Sequence, residues 1–355
     1  MNAGERTIAW LEKHQLQVDA EWSVRTERGF QWWPYQHAQT VEIMGEGKGP
    51  DGAAGSYVAV RTETLRDLDL TDRLAEAVNE LARDGANTMS GLVYDADTRR
   101  LDLCSLVLVH DDTQEWMQKV ISIAATLQIG EAPALATTLI QHYKVEGTDA
   151  ISGHPVSGMR GTPDEIAMIG GTLVIPSGKG SCAWTDQEFR ETVDQYMQGP
   201  PALLATSGGD GFTVEFPYGP DASSLCQAVG DQPHVALGRG LRMTQSFPVS
   251  KSSDAEGARF ALLMNATELA SKPLGYGLGS YFYREGLLCF STFYPNFIHR
   301  PGLLRNLYFA AAQRARALSA ILEHTDWDEQ SFDIRHSAAG GAFFGPPPAV
   351  QPEKT

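Results

Sequence analysis

Apolar residues recur along this chain at helical and strand spacings, and one order of these patterns is used twice. Between Asn79 and Leu127 a helical run, NELARDGA, leads into SGLVYDADTRRLDLCSLVLVHDD and then into a second helical run, TQEWMQKVISIAATL. Further along, the order returns as MNATELAS, GYGLGSYFYREGLLCFSTFYPNF and LLRNLYFAAAQRARALSAIL. In each copy an Asn-bearing helix end enters a strand. A short turn follows, then a second strand carrying a Cys (Cys104, Cys289), then a long apolar helix.

The rest of the chain fits around these two stretches. Residues Glu5 to Gln15 read as a helix with Ile8 and Leu11 on one side. Val18 to Trp33 holds one or two strands with a bend at Gly29. His37 to Met44 is another, and a Gly-rich loop, GEGKGPDGAAG (45–55), separates it from Tyr57 to Thr62. Thr71 caps a helix over Asp72 to Arg83 with Leu74, Val78 and Leu81 on one face, and Gly85 stops it. A hairpin turns at Asp95–Thr98, and its return strand, Leu101 to Val109, is apolar enough to be central. Asp112 and Glu115 make a capping box for the helix striped by Trp116, Val120, Ile123 and Leu127. Beyond Leu139 the pattern loosens into Gly, Pro and Ser, with one strand at Thr172 to Ile175. Thr185 and Glu188 box a helix bearing Phe189, Val193 and Tyr196. Phe212 to Phe216 and Val235 to Phe247 are strands. Ser253 and Glu256 start a helix with Leu262, Ala266 and Leu269; a hairpin turns at Arg284–Gly286, and Pro301 opens the last helix.

Written as elements, each half is helix, strands, helix, hairpin, long helix. The economical packing is α+β: two similar units in tandem, each an antiparallel sheet against helices, related by a pseudo-two-fold axis. Residues 1–143 form the first unit, 144–183 a Gly/Pro/Ser-rich linker, 184–330 the second unit and 331–355 a disordered tail.

Composition narrows the function classes. The net charge is −16, and residues 1–150 hold 24 acidic against 13 basic residues. Such a surface repels phosphate backbones and anionic lipid, which speaks against nucleic acid and membrane and for a basic protein partner. No uninterrupted apolar stretch has the length of a membrane span, and MNAGERTIAWLEKHQ lacks the pattern of a signal peptide. Four scattered cysteines without CxxC spacing predict reduced core thiols in a cytoplasmic protein.

The order of elements resembles the type III secretion chaperone-like fold, including the YbjN-like family of bacterial regulators. The stretches that carry the resemblance are VNELARDGANTMSGLVYDADTRRLDLCSLVLV with the capped helix after it, and NATELASKPLGYGLGSYFYREGLLCFSTFY. Asn79 and Asn265 stand near the helix ends where that family has an Asn. The resemblance covers roughly 5–140 and 185–325. The Gly-rich insertion at 45–55 and the middle segment depart from the compact pattern and leave the first sheet's register open. The resemblance implies a non-enzymatic, acidic, dimer-like protein that binds or regulates other proteins, and it names no catalytic residue.

Candidate chemistry is sparse. Phe30, Trp32, Trp33 and Tyr35 form the sharpest cluster, and alternation sends Phe30 and Trp32 to one face of a strand and Trp33 and Tyr35 to the other. Left open, one face would be a partner-binding surface; alternatively the second unit or the 144–183 segment covers it. His110-Asp111-Asp112 sits at a strand-to-helix junction, where the carboxylates suit a helix N-terminus. Asp67/Asp69 and Asp95/Asp97 read as turn formers. Gly178–Ser181 lacks the first Gly of a phosphate loop, since Val174 stands there. The histidines His142, His154, His234 and His299 form no visible set, and no metal site or cofactor is predicted. The tail motif AFFGPPP (342–348) has the composition of a docking peptide. The leading expectation is a non-enzymatic protein that presents an apolar sheet face or inter-repeat groove to a protein partner. The alternative is an enzyme or small-ligand-binding protein with His110, Asp111 and a middle-segment histidine in the cleft between repeats.

Overall fold

The computed structural model describes residues 1–48, 52–85, 88–172, 183–196, 206–207, 211–217, 223–234, 237–251, 253–271 and 273–323. The first unit comprises α1 (Ala3–Trp10), β1 (Ser23–Thr26), β2 (Gly29–Trp32), β3 (Gln39–Lys48), β4 (Ala54–Arg66), α2 (Asp72–Arg83), β5 (Gly91–Asp95), β6 (Arg100–His110) and α3 (Asp111–Gln141). A connecting stretch holds β7 (Thr148–Asp149) and α4 (Glu165–Thr172). The second unit comprises α5 (Asp186–Tyr196), β8 (Thr206–Ser207), β9 (Gly211–Pro217), β10 (Ser223–His234), β11 (Gly238–Pro248), α6 (Asp254–Ala266), β12 (Ser280–Arg284), β13 (Leu287–Pro295) and α7 (Leu303–Glu323).

The strand orders are β1-β2-β3-β4-β6-β5, with β7 paired to the end of β4, and β8-β9-β10-β11-β13-β12. Every pairing is antiparallel, and apart from β7 the two sheets are built alike. The fold is therefore α+β in two similar units.

Local chemistry sets these elements. The Thr71 hydroxyl accepts from the Leu74 amide at 3.2 Å, and Ser253 does the same for Glu256 at 3.2 Å. At α3 the cap lies one residue pair earlier than the Asp112–Glu115 spacing predicts. His110 is the N-cap, its amide donates to Thr113 Oγ1 at 3.2 Å, and both aspartates fall in the first turn. Pro301 precedes α7 instead of opening it, with Gly302 at φ +85° between them. The Gly-rich loop is shorter than its composition predicts. Gly45–Lys48 pair with Ala54–Tyr57, so only residues 49–53 separate the strands, of which 49–51 lie outside the described set. Gly47 leaves room for a ring: a Cβ there would lie 2.6 Å from Tyr57 Cζ. The strand β10, interrupted by Gly230 and Pro233, escapes the sequence pattern, and the expected strand start at Val235 lies outside the described residues.

The middle segment does more than connect. β7 adds to β4, and α4 packs along α3; Thr172 ends a helix, while 173–175 of the expected strand lie outside the described residues. α3 itself runs through Gly130 and Pro133. By length and composition it could cross a membrane, and 61% of its most apolar window is buried inside this fold.

The two units hold each other at the sheet ends. Leu106 N donates to Gly277 O and Gly277 N to Leu106 O, both at 2.9 Å, so the loop after α6 pairs with the overhang of β6. Reciprocally, Phe293 N on the overhang of β13 donates to Thr88 O in the loop after α2, at 3.3 Å. Asn265 accepts from Tyr281 N at 2.7 Å and donates to Leu92 O at 3.1 Å, joining β12 to β5. Asn79 donates to Tyr283 O at 3.0 Å and accepts from Tyr283 N at 2.6 Å, as a neighbouring strand would. The paired cysteines explain themselves here. Cys104 packs under Leu269 of the second unit, and Cys289 under Ala82 of the first.

One of these ties is pH-sensitive. The Thr88 hydroxyl donates to Glu131 Oε1 at 2.7 Å, and burial pushes the Glu131 carboxyl up to about 7. A carboxyl with a raised folded pKa binds its proton more tightly in the folded state, so stability falls as pH rises from the unfolded value to about 7. Glu131→Gln removes this slope. Urea unfolding at pH 8 should show a gain of about 3 kcal/mol over wild type that vanishes near pH 4. An unchanged pH profile would contradict the assignment.

Candidate functional site

The aromatic cluster does not form an open face. Phe30 is 1% and Trp32 0% exposed, both in the core, and Trp32 Nε1 donates to Gln39 Oε1 at 3.1 Å. Trp33, at 4% exposure, is covered from the other side by the middle segment. Its Nε1 donates to Ser152 Oγ at 3.1 Å, His154 meets its ring edge-on at 5.2 Å, and Arg160 donates to its carbonyl at 2.9 Å. Alternation is obeyed, and both faces find cover. Tyr35 alone is half-buried, in an open apolar hollow beside Pro133, Met168 and Ile169.

A different surface emerges between the units. On its outer face, β6 carries Leu106 and Leu108 against Tyr57 and Ala59 of β4. The loop 273–277 of the second unit pairs beside it, and α7 crosses behind. Between them lies a cavity of about 240 Å³. Its aromatic and aliphatic walls are Tyr57, Leu108, Pro273, Tyr276 and Phe309; His110, Thr113, Asn306 and Gln313 supply polar groups. Asn306 also lines an adjoining hollow of about 100 Å³ walled by Trp116, Val120, Ile123, Ile298 and Leu303, with Lys119 and Arg300 at its rim. The Trp116 and Tyr276 rings meet edge-to-face at 5.8 Å across the junction. Together the hollows form an inter-unit groove, apolar with a few polar groups.

A buried ion pair fixes one wall. Glu268 is 0% and Arg314 4% exposed. Arg314 Nη2 donates to Glu268 Oε1 at 2.7 Å and to Tyr276 O at 2.9 Å, its guanidinium lies 3.7 Å from the centre of the Phe290 ring, and Tyr281 donates to Glu268 Oε2 at 2.6 Å. Gly275 N also donates to Glu268 Oε1, at 3.3 Å. Both Gly275 and Tyr276 line the cavity, so the pair holds the groove's loop in place. Burial drives the Tyr281 hydroxyl well above its usual value, and the neighbouring carboxylate adds to the shift.

The residues expected to act together do not converge. Asp111 turns away to an ion pair with Arg6, and Asp112, with an exposed side chain, stands 3.7 Å from His110 Nδ1. His154 lies among Trp22 and Trp33, His142 against Tyr143, His234 stacks on Phe293 at 4.7 Å, and His299 meets Glu188 at 2.8 Å. Asp95 accepts from the Asp97 and Thr98 amides, as a turn carboxylate does. Burial pushes the Cys226 thiol up to about 12 and Cys289 to about 11, and raises Cys104 as well, so these thiols stay protonated near neutrality. Among the described residues no group of three His, Cys, Asp or Glu could hold a metal ion. Gly178–Ser181 lies outside the described residues. Of the groove residues, His110 was expected in the cleft between repeats and does line it; the others escaped sequence reasoning because they belong to separate units. The available signal was a second stripe on α7, Asn306, Phe309 and Gln313, off its core face.

Comparison of the chain with family models, with curated proteins and with solved structures gives no match.

Glu268→Gln strands the Arg314 charge in the interior. Urea unfolding should show a loss of about 3–5 kcal/mol, and the double change Glu268→Leu with Arg314→Met a smaller one. A single-variant loss under about 1 kcal/mol would show that the pair does not hold this wall.

Proposed function

We propose that this chain is a non-enzymatic protein-binding protein, chaperone-like or regulatory, which presents the inter-unit groove to a protein partner. The observation that carries the reading is the groove's lining: Tyr57, Leu108, Trp116, Ile123, Tyr276 and Phe309, contributed by both units. Aromatic and aliphatic side chains in a partly desolvated recess are the groups that concentrate binding energy at protein interfaces. The duplicated element order supports the secretion-chaperone-like resemblance, with one chain doing the work of a dimer. The net charge of −16 favours a basic partner over nucleic acid or anionic membrane, and the buried free thiols suit a reducing cytoplasm. The groove and not the sheet face at Phe30 to Trp33 is the docking surface, since those aromatic residues are covered.

The rival is an enzyme or small-ligand protein acting in the same cavity. His110, 7% exposed and lining it, is the observation in its favour. The divergence of Asp111 removes its expected acid–base partner.

The test uses the tagged full chain, expressed at its native level in its own cell and recovered under native conditions. Mass measurement should find one protein bound in fixed stoichiometry to wild type. Ile123→Glu combined with Phe309→Glu, shown to be folded by near-ultraviolet circular dichroism, should lose it at least about tenfold. Equal recovery with the variant would remove the groove from consideration. A small molecule retained in place of a protein would favour the rival.

A further inference from the structure

The last helix both lines the groove and leads out of it. α7 contributes Leu303, Asn306, Phe309 and Gln313 to the two hollows and ends at Glu323. Residues 324–355 follow it in the chain. Their sequence includes Ala342-Phe343-Phe344-Gly345-Pro346-Pro347-Pro348, two adjacent aromatic residues and a run of three prolines without a charge.

Three prolines in a row favour the extended polyproline II form, which exposes carbonyls and ring faces and loses little entropy when bound. Grooves that take such segments are lined by aromatic side chains, with a few donors between them. The inter-unit groove has that composition: Tyr57, Trp116, Tyr276 and Phe309 supply ring faces, and Asn306 and Gln313 supply amides.

Length permits the contact within one molecule. Phe309 lies fourteen residues before the end of α7, about 21 Å back along its axis. The stretch from Glu323 to Phe343 spans up to about 66 Å when extended, so it can run back along the helix with slack. A tether of this kind holds its segment at an effective concentration in the millimolar range, where even a weak contact is occupied.

On the reading of the groove as a protein-docking site, we propose that Ala342–Pro348 is its resident ligand, bound in cis. A partner must then displace this segment, and the free groove is exposed only in proportion to the fraction of chains whose segment is out. The partner's affinity becomes a function of the tail, which gives a site for control remote from the groove itself.

The experiment uses the full chain and a fluorescent synthetic peptide, GAFFGPPPAV, read by anisotropy. A variant with Phe343→Ser, Phe344→Ser and Pro347→Ala disables the resident segment. This variant should bind the peptide about tenfold more tightly than wild type, and adding Phe309→Glu should abolish the binding. A photo-reactive phenylalanine analogue at position 344 of the otherwise wild-type chain should link to peptides containing Trp116, Tyr276 or Phe309, in the monomeric band. Three outcomes overturn the proposal: no peptide binding to either chain, equal binding to both, or links that fall elsewhere or between two molecules. Since the partner recovery described above varies only groove residues, the tail can fail as the occupant while the groove stands as a docking site. Loss of partner recovery with an intact tail effect would separate them in the other direction.

Discussion

The open edges of β5 and β12 are the constraint from which the rest of the molecule follows. Each is a five-residue strand beside a longer return strand, eleven residues in β6 and nine in β13. Each sheet therefore ends in a short edge plus an overhang of unpaired amides and carbonyls. Left to water, such edges invite pairing with other chains; buried without partners, each group would cost about 1–3 kcal/mol. Here each unit finishes the other. The loops after α2 and α6 supply the missing carbonyls, and Asn79 and Asn265 act as pieces of strand.

That exchange decides where apolar surface goes. The ends of α2 and α6 lie on the outer faces of the opposite sheets, which is why the cysteines at matching positions are buried on faces that a lone unit would leave bare. A single unit would expose Leu106 and Cys104, or Phe282 and Cys289, along with its edge. Near the overhang of β6 the cover is incomplete, because the 273–277 loop reaches Leu106 and stops short of Leu108. The groove is the space left there. The ion pair buried behind its loop, Glu268 with Arg314, adds little net stability by charge alone, since desolvation cancels much of the attraction. Its contribution is positional: the guanidinium grips Glu268 through Nε and Nη2 and donates from Nη2 to Tyr276 O, while Glu268 accepts from Gly275 N, so the pair adds to the Leu106–Gly277 bonds that hold the loop.

Much of this was legible in the chain. Local signals with a mechanism held: the caps at Thr71, Thr185 and Ser253, the hairpin turns at Asp95 and Glu285, and the doubled order of elements around Cys104 and Cys289. Asn79 and Asn265 drew notice by position, though not for the cross-unit bonds they make. What failed did so for a physical reason. β10 buries Cys226 and Ala228 on its inner face, residues too small to register as a hydrophobic run, and Gly230 and Pro233 mimic loop composition. Gly47 read as loop because its lack of a side chain, in fact, serves the Tyr57 ring. For the aromatic cluster around Trp32 the sequence left open whether a face is exposed or covered by the 144–183 segment, because that burial depends on residues more than a hundred positions away, Ser152 to Arg160, which do cover it. A groove between the repeats was expected, with His110 in it, but the rest of its lining was hidden for the same cause, magnified. Tyr57, His110, Tyr276 and Phe309 share no local pattern, and only the mutual completion of the sheets brings them together.

The amide of Leu106 reports on that completion directly, because its hydrogen goes to Gly277 of the other unit, beyond the reach of β5. Native-state hydrogen exchange at this amide, and at Phe293, measures the free energy of opening the joint. Two units that complete each other should give both amides the same protection as the central strand amides, so that they exchange only when the whole chain unfolds. Fast exchange at Leu106 and Phe293 while the β4 core stays protected would mean that the units open independently, and that the groove between them is not a built feature of the protein.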